Sequence, residues 1–134
     1  MPERPLIGVV GPCGSGKTTL INGLRACRLN LRHIAQEHSY VPGMWQRITN
    51  PDLLIFLDAS YPETIRRRQL NWTMEEYLEQ HRRLAHARAH ADFYLMTDGL
   101  SPAQVIEQVT SFLRLRGVEL PADDDRYADL GPIV

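Results

Sequence analysis

Gly11-Pro12-Cys13-Gly14-Ser15-Gly16-Lys17-Thr18 carries the spacing G-x-x-x-x-G-K-[ST] without a departure. Its residue types suit one task, the holding of a chain of phosphates. Glycines permit the backbone angles that turn successive N–H groups inward as an anion nest. A helix opening at Gly16 aims its unpaired N–H groups and positive dipole end at the same point. Lys17 adds a flexible ammonium, and the Thr18 hydroxyl suits the shell of a magnesium ion bridging the phosphates. The candidate binding set runs from Gly11 through Thr19. The chain's 15 cations are fourteen arginines and one lysine, and that lysine is Lys17. Cys13 lies near a helix N-terminus, where a thiol pKa can fall; a small tolerated loop residue is the plainer reading of it.

Two acids compete to complete a magnesium site with Thr18. Asp58 closes the apolar run Leu53-Leu54-Ile55-Phe56-Leu57, and spacing alone favours it. Glu37 ends the weaker stretch from Leu31. Two arginine groups follow, Arg66-Arg67-Arg68 and Arg82-Arg83. Guanidinium groups hold phosphates by paired hydrogen bonds and neutralise charge building on a transferring phosphoryl group. Helical spacing keeps residues 66–68 from converging on one point, so Arg67 and Arg83 are the favoured pair. For any single arginine the competing reading is a solvated face tempered by Glu63, Glu75, Glu76 and Glu79. His81, His86 and His90 lack the register of a metal face and read as surface residues. The aromatics Tyr40 and Trp45 suit base stacking or, more simply, capping of a sheet. The sequon at Asn71-Trp72-Thr73 has nothing beside it that points to secretion.

The elements that must position these residues are legible from pattern. Leu6–Val10 is a short buried strand, followed by a helix from near Gly16 to between Cys27 and Asn30. Residues 31–37 form a weaker strand, 38–50 a loop with one helical turn, and Leu53–Asp58 the clearest strand. Capping boxes open three helices: Ser60 with Glu63 through Leu70, Thr73 with Glu76 through His90, and Ser101 with Gln104, which has Pro102 at its first position. Residues 92–97 form a last strand. Strands alternating with helices predict an α/β domain, an open doubly wound parallel sheet of about four strands. Its ligands belong beyond the carboxyl ends of the strands.

Composition narrows the function classes. The 134 residues suit one domain, residues 1–116, and the acidic stretch 117–134 reads as a flexible tail. A net charge of −1 argues against a nucleic-acid binder relying on basic excess. The longest strictly apolar run, Leu53 to Leu57, is far short of a membrane span. Two cysteines make no disulfide framework. A soluble cytoplasmic domain is the expectation.

The stretch GPCGSGKTTL resembles the Walker A sequence of P-loop NTPases. From Leu53 to Leu113 the order resembles the C-terminal half of small P-loop kinases, particularly nucleotide kinases of the thymidylate type. In those a strand like LIFLDAS leads to an arginine-rich helix, a lid, and then a strand and turn like DFYLMTDGLSP. The resemblance implies ATP and Mg2+ as cofactors, with Lys17, Arg67 and Arg83 acting on the phosphates. It implies magnesium near Glu37 rather than Asp58, and the adenine edge near Thr97-Asp98-Gly99, a place simple turn chemistry explains equally. A guanine motif of the Asn/Thr-Lys-x-Asp form cannot exist where Lys17 is the sole lysine, so ATP is favoured over GTP; the Ser-Gly-Gly-Gln signature of ABC-type ATPases is also missing. The chain departs from the pattern in one block. Only about 25 residues separate Cys27 from Leu53, where such kinases insert their acceptor-binding region. The acceptor site is then very small or built by another chain, as in a homodimer. The implied function is a minimal kinase moving the γ-phosphate of ATP to a small molecule. The alternative is a non-kinase ATPase or nucleotide-dependent switch acting through a protein partner.

Overall fold

A computed structural model describes residues 4–68 and 71–120, the side chain of Arg68 excepted. Strands β1 (Leu6–Val10), β2 (Asn30–His33), β3 (Leu53–Asp58) and β4 (Phe93–Met96) form one parallel sheet in the order β2-β1-β3-β4. The helices are α1 (Lys17–Gly23), α2 (Tyr61–Arg68), α3 (Met74–His90) and α4 (Pro102–Leu115). The α/β class and the four-stranded parallel sheet are as the pattern predicts, and the arrangement is compatible with a doubly wound fold. Among the described residues no helix is long and apolar enough to cross a membrane.

The unbroken apolar run of β3 follows from burial on both faces of the sheet. Leu53, Ile55 and Leu57 enter one core with Leu20 and Leu24 near α1 and with Val105, Ile106, Val109 and Leu113 of α4. Leu54 and Phe56 enter the other with Val10, Ile34, Trp45, Leu84 and Ala87. Each buried valine, leucine, isoleucine or phenylalanine among them contributes about 1.5–3 kcal/mol. The register pairs Ile7 with Leu53 and Val10 with Phe56, so β1 and β3 end close together. The chain leaves β1 for β2 on one side and returns to β3 on the other, which opens a crevice at those carboxyl ends.

Several boundaries differ from expectation. Helix α1 stops at Gly23, and a 3-10 turn at Arg25–Cys27 ends on Arg28 in the left-handed region (φ 54°). Strand β2 stops at His33; Glu37 lies beyond it on a 3-10 turn at Gln36–His38. The boxes at Thr73/Glu76 and Ser101/Gln104 are complete. That of Ser60 is half made, because Glu63 turns to Arg66 and Arg67 instead. The fold also runs past residue 116: Val118 is buried in the α1–α4 core and its N–H bonds Leu113 O at 2.9 Å. The rest of the expected tail, 121–134, and Leu70 lie outside the described residues.

Candidate functional site

The loop leaving β1 is held open by its glycines. A Cβ on Gly11 would lie 2.0 Å from Leu57 O, so only glycine lets β1 and β3 close up there. Gly14 takes φ 84°, and a Cβ on it would lie 3.0 Å from Thr64 Cβ of α2. Two loop amides have internal partners: Cys13 N–H donates to Gln80 Oε1 (3.0 Å) and Ser15 N–H to Pro12 O (3.2 Å). The amides of Lys17 and Thr18 precede the first i→i−4 bond of α1, which Leu20 makes to Gly16 O at 2.9 Å. Thr18 is exposed and Thr19 is buried.

Lys17 folds back into its own loop. Its Nζ donates to Gly11 O (2.5 Å) and Pro12 O (3.1 Å), and pairs with Glu37 Oε2 at 3.0 Å. The carboxylate of Glu37 is only 3% exposed, and Oε1 has no partner. A buried anion with one oxygen open is a ready place for a cation. Asp58, the other candidate acid, is engaged elsewhere. Its Oδ1 accepts from Ala59 N–H (2.9 Å) and its Oδ2 from the Tyr94 hydroxyl (2.6 Å). His81 Nε2 stands 3.5 Å from Asp58 Oδ1, but burial holds its pKa below the ordinary histidine value of 6.5 despite the raising influence of Asp58, so the ring is neutral at pH 7. The structure therefore brings Lys17 to Glu37 and leaves Asp58 facing β4 and α3.

The two favoured arginines part company. Arg67 is 3% exposed and fully engaged: Nη1 donates to Gly14 O (3.1 Å) and Thr97 Oγ1 (2.7 Å), Nη2 to Thr97 O (2.5 Å), and Nε to Glu63 Oε1 (3.0 Å). It fastens the glycine loop to the end of β4, an internal position that leaves little of its fork for a ligand. Thr97 completes that fastening, its hydroxyl lying 2.9 Å from the carbonyls of both Ser15 and Asp58. Arg83 stands at an open place. Nη1 donates to Glu37 O (3.2 Å), the guanidinium lies 4.2 Å from the Tyr40 ring centroid, and Nε is buried without a partner. It lines a cleft of about 550 Å³ with His38, Trp72, Glu76, Gln80 and others.

Two glutamines that no sequence motif marks matter here. Gln36, fully buried, accepts from Trp45 N–H (2.8 Å) and donates to Val41 O (3.0 Å) and Arg83 O (3.2 Å), so it fixes the turn that carries Glu37. Gln80 anchors α3 to Cys13. Neither glutamine has a local signal: Gln80 meets Cys13, 67 positions away, and Gln36 reaches Arg83, 47 positions away, besides Val41 and Trp45 in the irregular segment that follows it. Two of the histidines read as surface residues are instead half-buried: His81 against Tyr77, and His86 accepting the Trp45 indole N–H at 3.0 Å. Trp45 itself caps the sheet. Set against protein-family models and against curated proteins, the sequence finds no match in either.

Proposed function

We propose that this chain binds Mg-ATP and acts as a minimal P-loop kinase, transferring the γ-phosphate to a small-molecule acceptor. The observation that carries the reading is the Lys17–Glu37 pair, buried at the mouth of a glycine loop that meets G-x-x-x-x-G-K-T in full. The residues suit the ligand: Gly11 leaves the close approach a backbone cradle requires, Thr18 is exposed, and Glu37 keeps one oxygen open. Lys17 would exchange its loop carbonyls for the outer phosphates, with the amides of the loop and the start of α1 beside it. Thr18 and Glu37 would hold the magnesium ion, which when bound draws charge from the phosphate oxygens. Asp58, bonded to Tyr94 and Ala59, would hold β4 to β3 from that side rather than meet the metal.

The arginine roles divide in this reading. Arg83 is the lid candidate, since it faces a cleft and keeps a free Nε; Arg67 is a positioning residue that fixes the carbonyl of Gly14. The cleft between Arg83, Gln80 and His38, next to the loop at Cys13, supplies the acceptor space that the short 28–52 segment lacks, and it favours the kinase over the switch. The test is γ-labelled ATP with magnesium, the purified protein and a pooled metabolite extract. Label in a small organic phosphate, lost in Lys17→Ala, is the expected result. Label that stays in ATP or leaks slowly to inorganic phosphate would turn the reading to a switch with a protein partner.

A further inference from the structure

Cys13, Glu37 and His38 offer one ligand atom each, and the three atoms lie within 4.8 Å of one another. Cys13 Sγ is 3.9 Å from His38 Nε2, which is 3.8 Å from Glu37 Oε2. Zinc bonds of ~2.0–2.3 Å in tetrahedral geometry space ligand atoms roughly 3.3–3.7 Å apart, so a small closure of side chains would seat an ion. Each ligand comes prepared. Gln80 receives the Cys13 N–H on Oε1, which turns its Nε2 toward Sγ at 3.3 Å, a donor that steadies a thiolate. Glu37 is buried and has an oxygen without a partner. His38 is 61% exposed and leaves a path from solvent.

We propose that Cys13, Glu37 and His38 form a binding site for a zinc-class transition-metal ion at the mouth of the glycine loop, with a fourth position open to water or another ligand. The sulfur and imidazole donors select a borderline-soft ion and are unsuited to magnesium, which takes oxygen ligands. Lys17 holds Glu37 Oε2 at 3.0 Å and leaves the carboxylate's other oxygen, Oε1, without a partner and available to the ion, so the pair does not have to break. Occupancy ties the loop to the Gln36–His38 turn. Where the kinase reading holds, zinc and magnesium contend for Glu37; the site itself does not depend on that reading.

The experiment is a titration of the full chain with Co2+ in the absence of nucleotide, followed by displacement with Zn2+. One cobalt per chain, a near-ultraviolet thiolate-to-cobalt charge-transfer band, and loss of that band in Cys13→Ser but not in Cys27→Ser are expected. His38→Ala, at an exposed position, should weaken zinc binding by more than about tenfold; it decides the matter if Cys13→Ser does not fold. No band in the wild-type chain, a band surviving Cys13→Ser, or unchanged zinc affinity in His38→Ala overturns the proposal. Because no nucleotide is present, failure here leaves the kinase reading untouched, and failure of phosphoryl transfer leaves this site untouched.

Discussion

Lys17 and Glu37 hold each other, while the proposed function asks both to turn to a ligand. Each is buried, and each is the other's counter-charge at 3.0 Å. Removing one partner of such a pair leaves a charge stranded in low dielectric, at a cost of about 3–5 kcal/mol. Lys17→Ala should therefore lower stability by that order, measured by urea denaturation of the purified variant; the proposed function adds that it should abolish nucleotide binding. The double variant Lys17→Met/Glu37→Leu should recover most of the stability, and under the proposed function it should still fail to bind ATP. A double variant as unstable as Lys17→Ala would show that the loss lies outside the pair. At Arg67 the argument concerns hydrogen bonds instead. Four donations from one planar fork reach α2, the glycine loop and the residue after β4. Arg67→Lys cannot reproduce that fork and should cost about 2–3 kcal/mol, read as a shift in denaturation midpoint; under the proposed function ATP affinity should fall alongside.

At the scale of elements, α3 and β4 meet the end of β3 through groups that titrate. Burial, and to a lesser degree the Asp58 hydrogen bond, push the Tyr94 hydroxyl up to about 12 from 10.0, and burial pushes Tyr77 likewise to about 12. A raised folded pKa means the unfolded chain loses its protons first. The contribution is complete below pH 10 and disappears as pH rises toward about 12. His81 works in the opposite direction. Its folded pKa lies below 6.5, so its contribution is present above pH 6.5 and falls away as the pH drops below that value. Denaturation midpoints followed from pH 5 to 12 should decline at both ends; His81→Gln should flatten part of the acid limb and Tyr94→Phe part of the alkaline one. The caps act locally: Thr73→Ala removes the acceptor for the Glu76 N–H and should cost about 1 kcal/mol.

At the scale of the whole molecule, the packed core reaches past Arg116. Val118 fills the α1–α4 core and Leu120 packs against it. A chain ended at Leu120 should be more stable than one ended at Arg116 by about 2 kcal/mol, the order of one buried valine with part of a leucine. Equal melting temperatures for the two would refute that assignment. Much of the architecture was readable beforehand because its causes are local. The run in β3 announces burial on both faces, capping boxes pair residues three apart, and glycines stand where a loop must pass close to Leu57 O.

The sequence by itself determined the helix starts, the strands with strong apolar runs, the parallel α/β class and the glycine loop between β1 and α1, since each depends on neighbours within a turn or two of the chain. Only tertiary structure decided which acid meets Lys17. For the magnesium acid, spacing prefers Asp58 and the kinase resemblance prefers Glu37; in the fold Tyr94, 36 residues later in the chain, takes the Asp58 carboxylate, while Gln36 draws the Glu37 turn inward by bonding Trp45 and Arg83. Only tertiary structure likewise made Arg67 a fastener and set Cys13 beside His38 and Gln80. Such choices depend on contacts between residues tens of positions apart, whose partners compete for the same few buried polar atoms, and no local pattern records which partner wins.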